Sequence, residues 1–183
     1  MRASSTVIVV LIGAAFLFVG CSQTTSPTSP TSVASPLPSS LAVSAAAQHQ
    51  VPFKGRMEGT DTDSDPTPTS IVVTTDGMGT ATHLGRFSFT QRVTLSFTTF
   101  TSAGTSHWVA ANGDSFDTTI AGSGQPTGTP GEFRITDIHT ITGGTGRFAG
   151  AHGLFTVERV ASGITLATSG SFEGTITSPG SAD

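Results

Sequence analysis

The chain is poor in cysteine, tyrosine and charge. Its one cysteine, Cys21, excludes an internal disulfide, so the stability of the fold must come from backbone pairing and an apolar core. Only 11% of the residues are charged, and the formal net charge is -4. The chain therefore lacks the basic surface that binding to a phosphate backbone requires, and we expect no nucleic-acid partner.

Helical periodicity is absent from residue 51 onward, where glycine, threonine and phenylalanine are abundant instead. Glycine breaks helices, whereas threonine and phenylalanine suit a pleated surface. The alternation in Phe53-Lys54-Gly55-Arg56-Met57 is typical of a half-buried strand, with the two apolar side chains on one face. Residues 51–178 are therefore predicted to form an all-β domain, and residues 179–183 a disordered tail.

About eight strands are predicted, and the connections between them are short. Short connections favour antiparallel pairing of sequence neighbours, and closing such a meander into an up-and-down barrel removes both exposed edges. The interior of an eight-stranded barrel can be filled by side chains or can hold one small ligand. We expect residues 61–68, which include three aspartates and two prolines, to be a solvated acidic loop.

The first 21 residues have the features of an export signal. Arg2 provides a positive charge, and the apolar run at 7–19 is short for a membrane span. The sequence Leu17-Phe18-Val19-Gly20-Cys21 resembles the lipobox of bacterial lipoproteins, with Phe18 where leucine is most frequent. This resemblance implies a signal peptide at 1–20 and a lipid on Cys21; the alternative is an ordinary secretory signal followed by a coincidental cysteine.

A polar segment separates Cys21 from the predicted domain. Residues 21–50 are rich in serine, threonine and proline and contain no Asp, Glu, Lys or Arg. Such a composition buries too little apolar surface to offset the entropy of ordering, so we expect a disordered tether, or alternatively a glycosylated stalk. The expected location is the bacterial cell envelope. If the cell is Gram-negative, Ser22 directly after the cysteine favours the outer membrane over retention at the inner one.

Three segments of the domain resemble a known family. The corner Ile141-Thr142-Gly143-Gly144-Thr145-Gly146-Arg147-Phe148 is similar to one shared by allene oxide cyclases and dirigent proteins. Residues 80–87 and 110–114 are similar to segments of the bacterial allene oxide cyclase barrel-like domains. The resemblance implies an eight-stranded barrel that is often trimeric. It does not extend to cyclase chemistry, because Glu58 lies on the outward face of its strand and the chain has no tyrosine.

The strand before that corner places polar residues on its apolar face. Asp137 and His139 share the parity of Phe133, Ile135 and Ile141 and are therefore predicted to point into the barrel.

Two further histidines are assigned to the interior by the same reasoning. His83 has the parity of Phe87 on one predicted strand running from residue 80 to 100. If Asn112-Gly113 forms a two-residue hairpin loop, His107 lies opposite Thr118 and points inward. The candidate ligand-binding residues are thus His83, His107, Asp137 and His139. They are interpreted either as satisfied polar residues or as a ligand pocket, with catalysis or metal binding as a further alternative.

Trp108 has the opposite parity and is predicted to face outward beside Asp117, where it is either tolerated or anchors a subunit interface. Gly144, Gly146 and Ala149 match a dinucleotide-binding pattern, but a strand rather than a helix follows them. We interpret the segment as a tight barrel corner. No cofactor and no metal site are expected.

These observations lead to two hypotheses on function. The first is a lipid-anchored envelope protein whose barrel is a non-catalytic module that binds a small apolar ligand or has a structural role. The second is an isomerase or cyclase that uses Asp137 and His139 on a hydrophobic substrate. The second hypothesis requires that both side chains reach a common cavity, whereas the first does not.

Overall fold

A computed structural model describes residues 49–180, which form a closed antiparallel barrel of eight strands. Each strand pairs with its neighbours in sequence, and the last strand pairs with the first. The all-β, eight-stranded up-and-down barrel predicted from the sequence is confirmed. The predictions for the signal peptide, Cys21, nearly all of the tether and the last three residues lie outside the described residues.

The strands contain 10 to 15 residues each and are joined by short connections. They are β1 (Gln50–Ser64), β2 (Ser70–Ala81), β3 (Gly85–Ser96), β4 (Thr101–Ala110), β5 (Ser115–Pro126), β6 (Glu132–Gly144), β7 (Gly153–Ser162) and β8 (Ala167–Thr177). A 3-10 helix, Gly146–Phe148, lies between β6 and β7. Within residues 49–180, no helix is long and apolar enough to cross a membrane.

One half of the interior is filled with aromatic rings. Trp108 is fully buried at the centre of this cluster, with its ring centroid 4.9 Å from that of Phe87 and 5.1 Å from that of Phe89. Two inward-facing glycines of β2 provide the space, because a Cβ on Gly77 or Gly79 would overlap the rings of Phe89 and Phe87. The other buried rings of the cluster are Phe53, Phe116, Phe148, Phe155 and Phe172.

The glycine-rich corner closes this aromatic end of the barrel. Its 3-10 helix directs Phe148 inward, where the ring is fully buried and lies 5.5 Å from that of Phe116. The chain then continues into strand β7, so the corner is not followed by the α-helix whose N-terminus holds the phosphates of a dinucleotide. The segment is a tight barrel corner, as the sequence indicated.

The β4–β5 hairpin differs from the prediction by one residue. The Ala110 N–H donates to the Asp114 carbonyl (2.8 Å) and the Gly113 N–H to the Ala110 carbonyl (2.9 Å), which makes a three-residue loop. Gly113 has a φ of 89°, as a type I turn with a bulge requires. The Asn112 side chain favours this loop because it bonds to Asp114, at 2.8 Å.

The extra loop residue changes which side chains of β4 face inward. Trp108 now pairs with Phe116, and His107 pairs with Asp117. The prediction that Trp108 faces outward and His107 inward was therefore wrong, because a one-residue change in register moves every side chain of a strand to the opposite face.

Two other predictions about the chain path were wrong. The strand expected from residue 80 to 100 is interrupted by a turn, and His83 lies in that turn, exposed and with a φ of 63°. The expected acidic loop is shorter, because β1 continues to Ser64 and carries Asp61 into the interior. A side chain in a turn has no strand parity, which explains the error at His83.

Candidate functional site

The second half of the barrel interior is polar. Asp137 of β6 is fully buried, and its carboxylate accepts hydrogen bonds from Arg159 Nε and Ser102 Oγ, each at 3.2 Å. Gly122 on β5 leaves the space for this carboxylate, since a Cβ there would overlap Asp137 Oδ1. A buried carboxylate needs such partners, because an unpaired charge in the interior is strongly destabilising.

A second buried carboxylate faces the same arginine from β1. Asp61 Oδ1 accepts a hydrogen bond of 2.6 Å from Thr75 Oγ1, and Asp61 Oδ2 lies 3.9 Å from Arg159 Nη1. Burial raises the pKa of the Asp61 carboxyl, and the Thr75 hydrogen bond and the Arg159 charge oppose that rise. Arg159 also donates to Thr168 Oγ1 at 3.1 Å. One guanidinium therefore holds two carboxylates and a hydroxyl.

A chain of hydrogen bonds leads from the aromatic half to His139. Trp108 Nε1 donates to Ser106 Oγ (2.7 Å), Ser106 Oγ lies 2.7 Å from Thr118 Oγ1, and Thr118 Oγ1 lies 3.1 Å from His139 Nδ1. The His139 ring stacks on Phe155, with centroids 4.8 Å apart. Burial, with a smaller effect of the Arg159 charge, lowers the pKa of His139 to about 3.

The low pKa determines the hydrogen-bonding state of this imidazole. At neutral pH His139 is uncharged, so one ring nitrogen carries a proton and the other accepts. The hydroxyl chain is satisfied when Thr118 donates to Nδ1, and we assign the proton to Nε2 on that basis.

Two buried donors in this polar half lack partners. Gln91 Nε2 and His139 Nε2 have no hydrogen-bond partner within residues 49–180. Gln91 lies on β3 directly opposite Ser106, the residue whose hydroxyl lies 3.4 Å from His139 Nδ1. Gln91 and His139 are thus both neighbours of Ser106. An unsatisfied buried donor lowers the stability of a fold by about 1–3 kcal/mol, so the requirements of folding do not explain why the protein contains two.

The structure separates the four residues predicted as a site. Asp137 and His139 are fully buried in the interior, as predicted. His83 is exposed in a turn, and His107 is on the outer surface, where its Nδ1 lies 2.7 Å from Asp117 Oδ1. His83 and His107 are thus placed away from the interior pair, and the inward orientation predicted for them was wrong.

Sequence reasoning missed Asp61, Gln91 and Arg159. For Arg159 a signal was present, because it alternates with Phe155 and Val157 on the apolar face of β7. Gln91 has the parity of Phe89 and Val93 on β3. The signal for Asp61 was its spacing of four residues from Met57, which was obscured by the acidic and proline-rich sequence after it.

The side chains of Asp137 and His139 are not hydrogen-bonded to each other. The carboxylate is engaged by Arg159 and Ser102, whereas the imidazole is bonded to Thr118 and packed on Phe155. A neutral imidazole with a pKa near 3 is a weak base at neutral pH. This arrangement does not provide the shared acid–base site that the isomerase hypothesis requires.

Within the described part of the chain, no group of three or more His, Cys, Asp or Glu side chains could hold a metal ion. Three grooves are lined mainly by outward-facing side chains of the barrel wall. The interior polar cluster and these outer grooves are therefore separate candidates for ligand binding.

Comparison with known proteins adds one structural similarity. No family model and no curated protein sequence matches the chain. Among solved structures, the chain is similar to the pterocarpan synthase dirigent protein GePTS1, with 16% sequence identity over 79% of this chain and 96% of that chain. The TM-score is 0.47. The fold of the present chain is established by its own strand pairing, which closes into an eight-stranded barrel.

Proposed function

We propose that this chain is a lipid-anchored protein of the cell envelope whose barrel is a non-catalytic module that binds a small, largely apolar ligand with at least one hydrogen-bond acceptor. The anchor is proposed from the export signal and Cys21. The binding role is proposed from the interior of the barrel, where an aromatic cluster adjoins a layer of polar side chains.

One observation carries the binding role. Gln91 Nε2 and His139 Nε2 are buried donors without an acceptor among residues 49–180. Buried donors in native proteins are nearly always paired with protein, water or ligand. A ligand oxygen that reached either nitrogen would satisfy a donor that the protein leaves unpaired, and the rings of Trp108 and Phe155 lie beside His139.

The same contacts support the non-catalytic part of the proposal. Both titratable groups that the isomerase hypothesis requires are already held by structural hydrogen bonds. A residue that acts as a general base needs a pKa near the working pH, and that of His139 is displaced to about 3.

Replacement of Gln91 by methionine tests the binding role. The Gln91→Met side chain has a similar volume and no donor, so the ligand-free protein is expected to keep its stability or gain up to about 1 kcal/mol. Thermal unfolding of the wild-type chain is measured with a panel of small cyclic ketones and the corresponding hydrocarbons. Ketones are expected to raise the melting temperature of the wild type and to have a weaker effect on Gln91→Met.

Two outcomes contradict this proposal. If no ketone raises the melting temperature, the structural role is favoured instead. If the hydrocarbons stabilise wild type and variant as well as the ketones do, the ligand does not use these donors. Met78→Ala, a change at an exposed side chain, is the matched control for nonspecific effects.

The anchor is tested separately at Cys21. With Cys21→Ser in the full-length chain, the protein is expected to lose its lipid and to appear in the soluble fraction, or to remain unprocessed at a higher mass. Metabolic labelling with a fatty acid provides the measurement. Labelling and membrane association that persist in the variant would contradict lipidation at this residue.

A further inference from the structure

The lysine and arginine side chains of the barrel differ in whether an acidic group lies next to them. Of the seven Lys and Arg side chains in residues 49–180, four have an acidic group within 4.0 Å, namely Lys54, Arg92, Arg147 and Arg159. The three others within this range, Arg56, Arg86 and Arg134, have no such partner. All three line one groove on the outer wall of the barrel.

This groove lies over β8 and has small polar residues at its centre. Its volume is about 890 Å³, and Ser169, Gly170 and Ser171 form its floor. A second groove continues along β8 as far as Thr175 and shares Arg56 and Ser171 with the first. The three arginines lie across the strands rather than along β8, and from Arg86 on β3 to Arg134 on β6 the wall spans five strand spacings, roughly 24 Å.

The strand register places charged walls on both sides of this floor. Ser171 pairs with Arg56 of β1 on one side and with Glu158 of β7 on the other. Ser169 pairs with Glu58 on the first side and with Val160 on the second, and Val160 pairs in turn with Arg134. Long charged side chains therefore flank a row of hydroxyls.

The opposite charges in the groove form no close ion pairs. Arg56 and Glu58 are two residues apart on the same strand face, and Arg134 and Glu158 are diagonal neighbours across β6 and β7. Neither pair comes within 4.0 Å in the described structure, and the two glutamates, like the arginines, have no partner there. The groove thus presents three guanidiniums, two carboxylates and several hydroxyls that are available to a ligand.

The chemistry of these groups selects the class of occupant. Guanidinium groups bind carboxylates in a bidentate manner, and the glutamates and serines accept and donate the hydrogen bonds that sugar hydroxyls need. A closed barrel has no free edge, so an extended peptide could not gain backbone hydrogen bonds here by adding to a strand. The three unpaired arginines outnumber the two unpaired glutamates, so the groove has a small positive excess in a chain with a net charge of -4, which favours an anionic ligand.

We propose that the groove over β8 binds a linear acidic oligosaccharide, with its carboxylates on Arg56, Arg86 and Arg134 and its hydroxyls on Ser169 and Ser171. This site lies on the outer wall of the barrel and is independent of the interior ligand site proposed above. It would give an anchored barrel a means of attachment to an acidic polysaccharide.

Isothermal titration of the full-length chain in detergent with tetragalacturonate tests this proposal. Binding is expected for the wild type, and a single Arg56→Gln or Arg134→Gln change is expected to weaken it about tenfold, since a charge-assisted pair is lost. Arg92→Gln is the matched control, because Arg92 is an exposed arginine that lies outside both β8 grooves and pairs with Asp65. That variant is expected to bind as the wild type does.

A second variant separates the shape of the groove from its charge. Ser171→Leu fills the floor without changing any charge and is expected to abolish binding, while circular dichroism shows that the barrel is intact. The fully methyl-esterified tetragalacturonate is expected not to bind.

The proposal is overturned if the wild type does not bind tetragalacturonate, or if Arg92→Gln weakens binding as much as Arg56→Gln does. It is also overturned if the methyl ester binds equally well, since the guanidiniums would then have no role. Equally tight binding of tetraglutamate, or an unchanged affinity in Ser171→Leu, would indicate attraction to surface charge rather than a saccharide site.

Discussion

The two halves of the barrel interior are built on the same strands but are stabilised in different ways. In the aromatic half, buried rings fill the space that inward-facing glycines leave, and each buried side chain contributes about 1.5–3 kcal/mol by leaving water. In the polar half, Arg159 joins two carboxylates whose burial is costly unless each is paired. The aromatic half is therefore stabilised by the apolar surface that it buries, whereas the polar half is stable only if each buried carboxylate has a partner.

The comparison indicates which half is suited to function. A packed aromatic cluster leaves little that a ligand could change. The polar half contains both unpartnered donors, Gln91 and His139, and is the part of the interior where an added acceptor would improve the hydrogen bonding. The proposed ligand binding thus belongs to the polar half, whereas the aromatic half mainly provides stability.

The largest effect is expected from truncating the central ring of the aromatic half. Trp108→Ala removes a fully buried indole that contacts several rings and donates to Ser106, and we expect a loss of about 4–5 kcal/mol in the free energy of unfolding. Urea unfolding provides the measurement, with Met78→Ala as the exposed control. A loss below about 2 kcal/mol would show that the cluster is less tightly packed than the structure indicates.

A smaller loss is expected when the arginine of the polar half is removed. Arg159→Met leaves Asp137 fully buried with Ser102 as its remaining partner, and we expect a loss of about 3 kcal/mol at pH 7. The double variant Asp137→Asn/Arg159→Met contains no buried Asp137 charge and should recover part of that loss in urea unfolding. If the double variant is no more stable than Arg159→Met, the cost does not arise from the unpaired carboxylate.

A pH dependence of about 2 kcal/mol is expected from His139. Its pKa is about 3 in the folded protein and near 6.5 in the unfolded chain, so between these values only the unfolded chain takes up the proton. Stability from this residue is therefore lost as the pH falls, by about 2 kcal/mol from pH 7 to pH 5. The raised pKa of Asp61 acts in the opposite direction, since its contribution is lost as the pH rises.

The variant His139→Gln isolates this contribution, because it keeps an acceptor for Thr118 and does not titrate. Unfolding free energies at pH 7 and pH 5 are compared for wild type and variant, and the effect of Asp61 is common to both. The variant is expected to show the smaller decrease at pH 5. Equal decreases in the two proteins would mean that His139 is protonated in the folded barrel.

The smallest effect is expected on the outer surface at His107. His107→Ala removes an exposed hydrogen-bonded contact with Asp117, and such surface contacts contribute little, so we expect a change within about 0.5 kcal/mol. A loss above about 2 kcal/mol in urea unfolding would contradict the outward orientation of His107. It would favour the two-residue hairpin loop instead.

Much of the fold could be predicted from local patterns, because strand alternation is a property of neighbouring residues. Phe53 and Met57 on β1, and Asp137 and His139 on β6, were correctly assigned to the interior from parity alone. Parity failed at β4, where the loop is one residue longer than Asn112-Gly113 suggests. The glycine has a positive φ, whereas the asparagine does not, and the hydrogen bonds of Asn112 to Asp114 select this loop.

The sequence by itself determined the number of strands, their antiparallel order and the inward faces of β1 and β6, because each depends on residues close together in the chain. Only the tertiary structure decided that Asp61, Asp137 and Arg159 meet, since they lie on β1, β6 and β7 and are brought together by closure of the barrel. The same holds for the outer groove, where Arg56 and Glu158 flank Ser171 only through the register of three strands. Register is set by turn geometry and by packing across the whole interior, which no local pattern specifies.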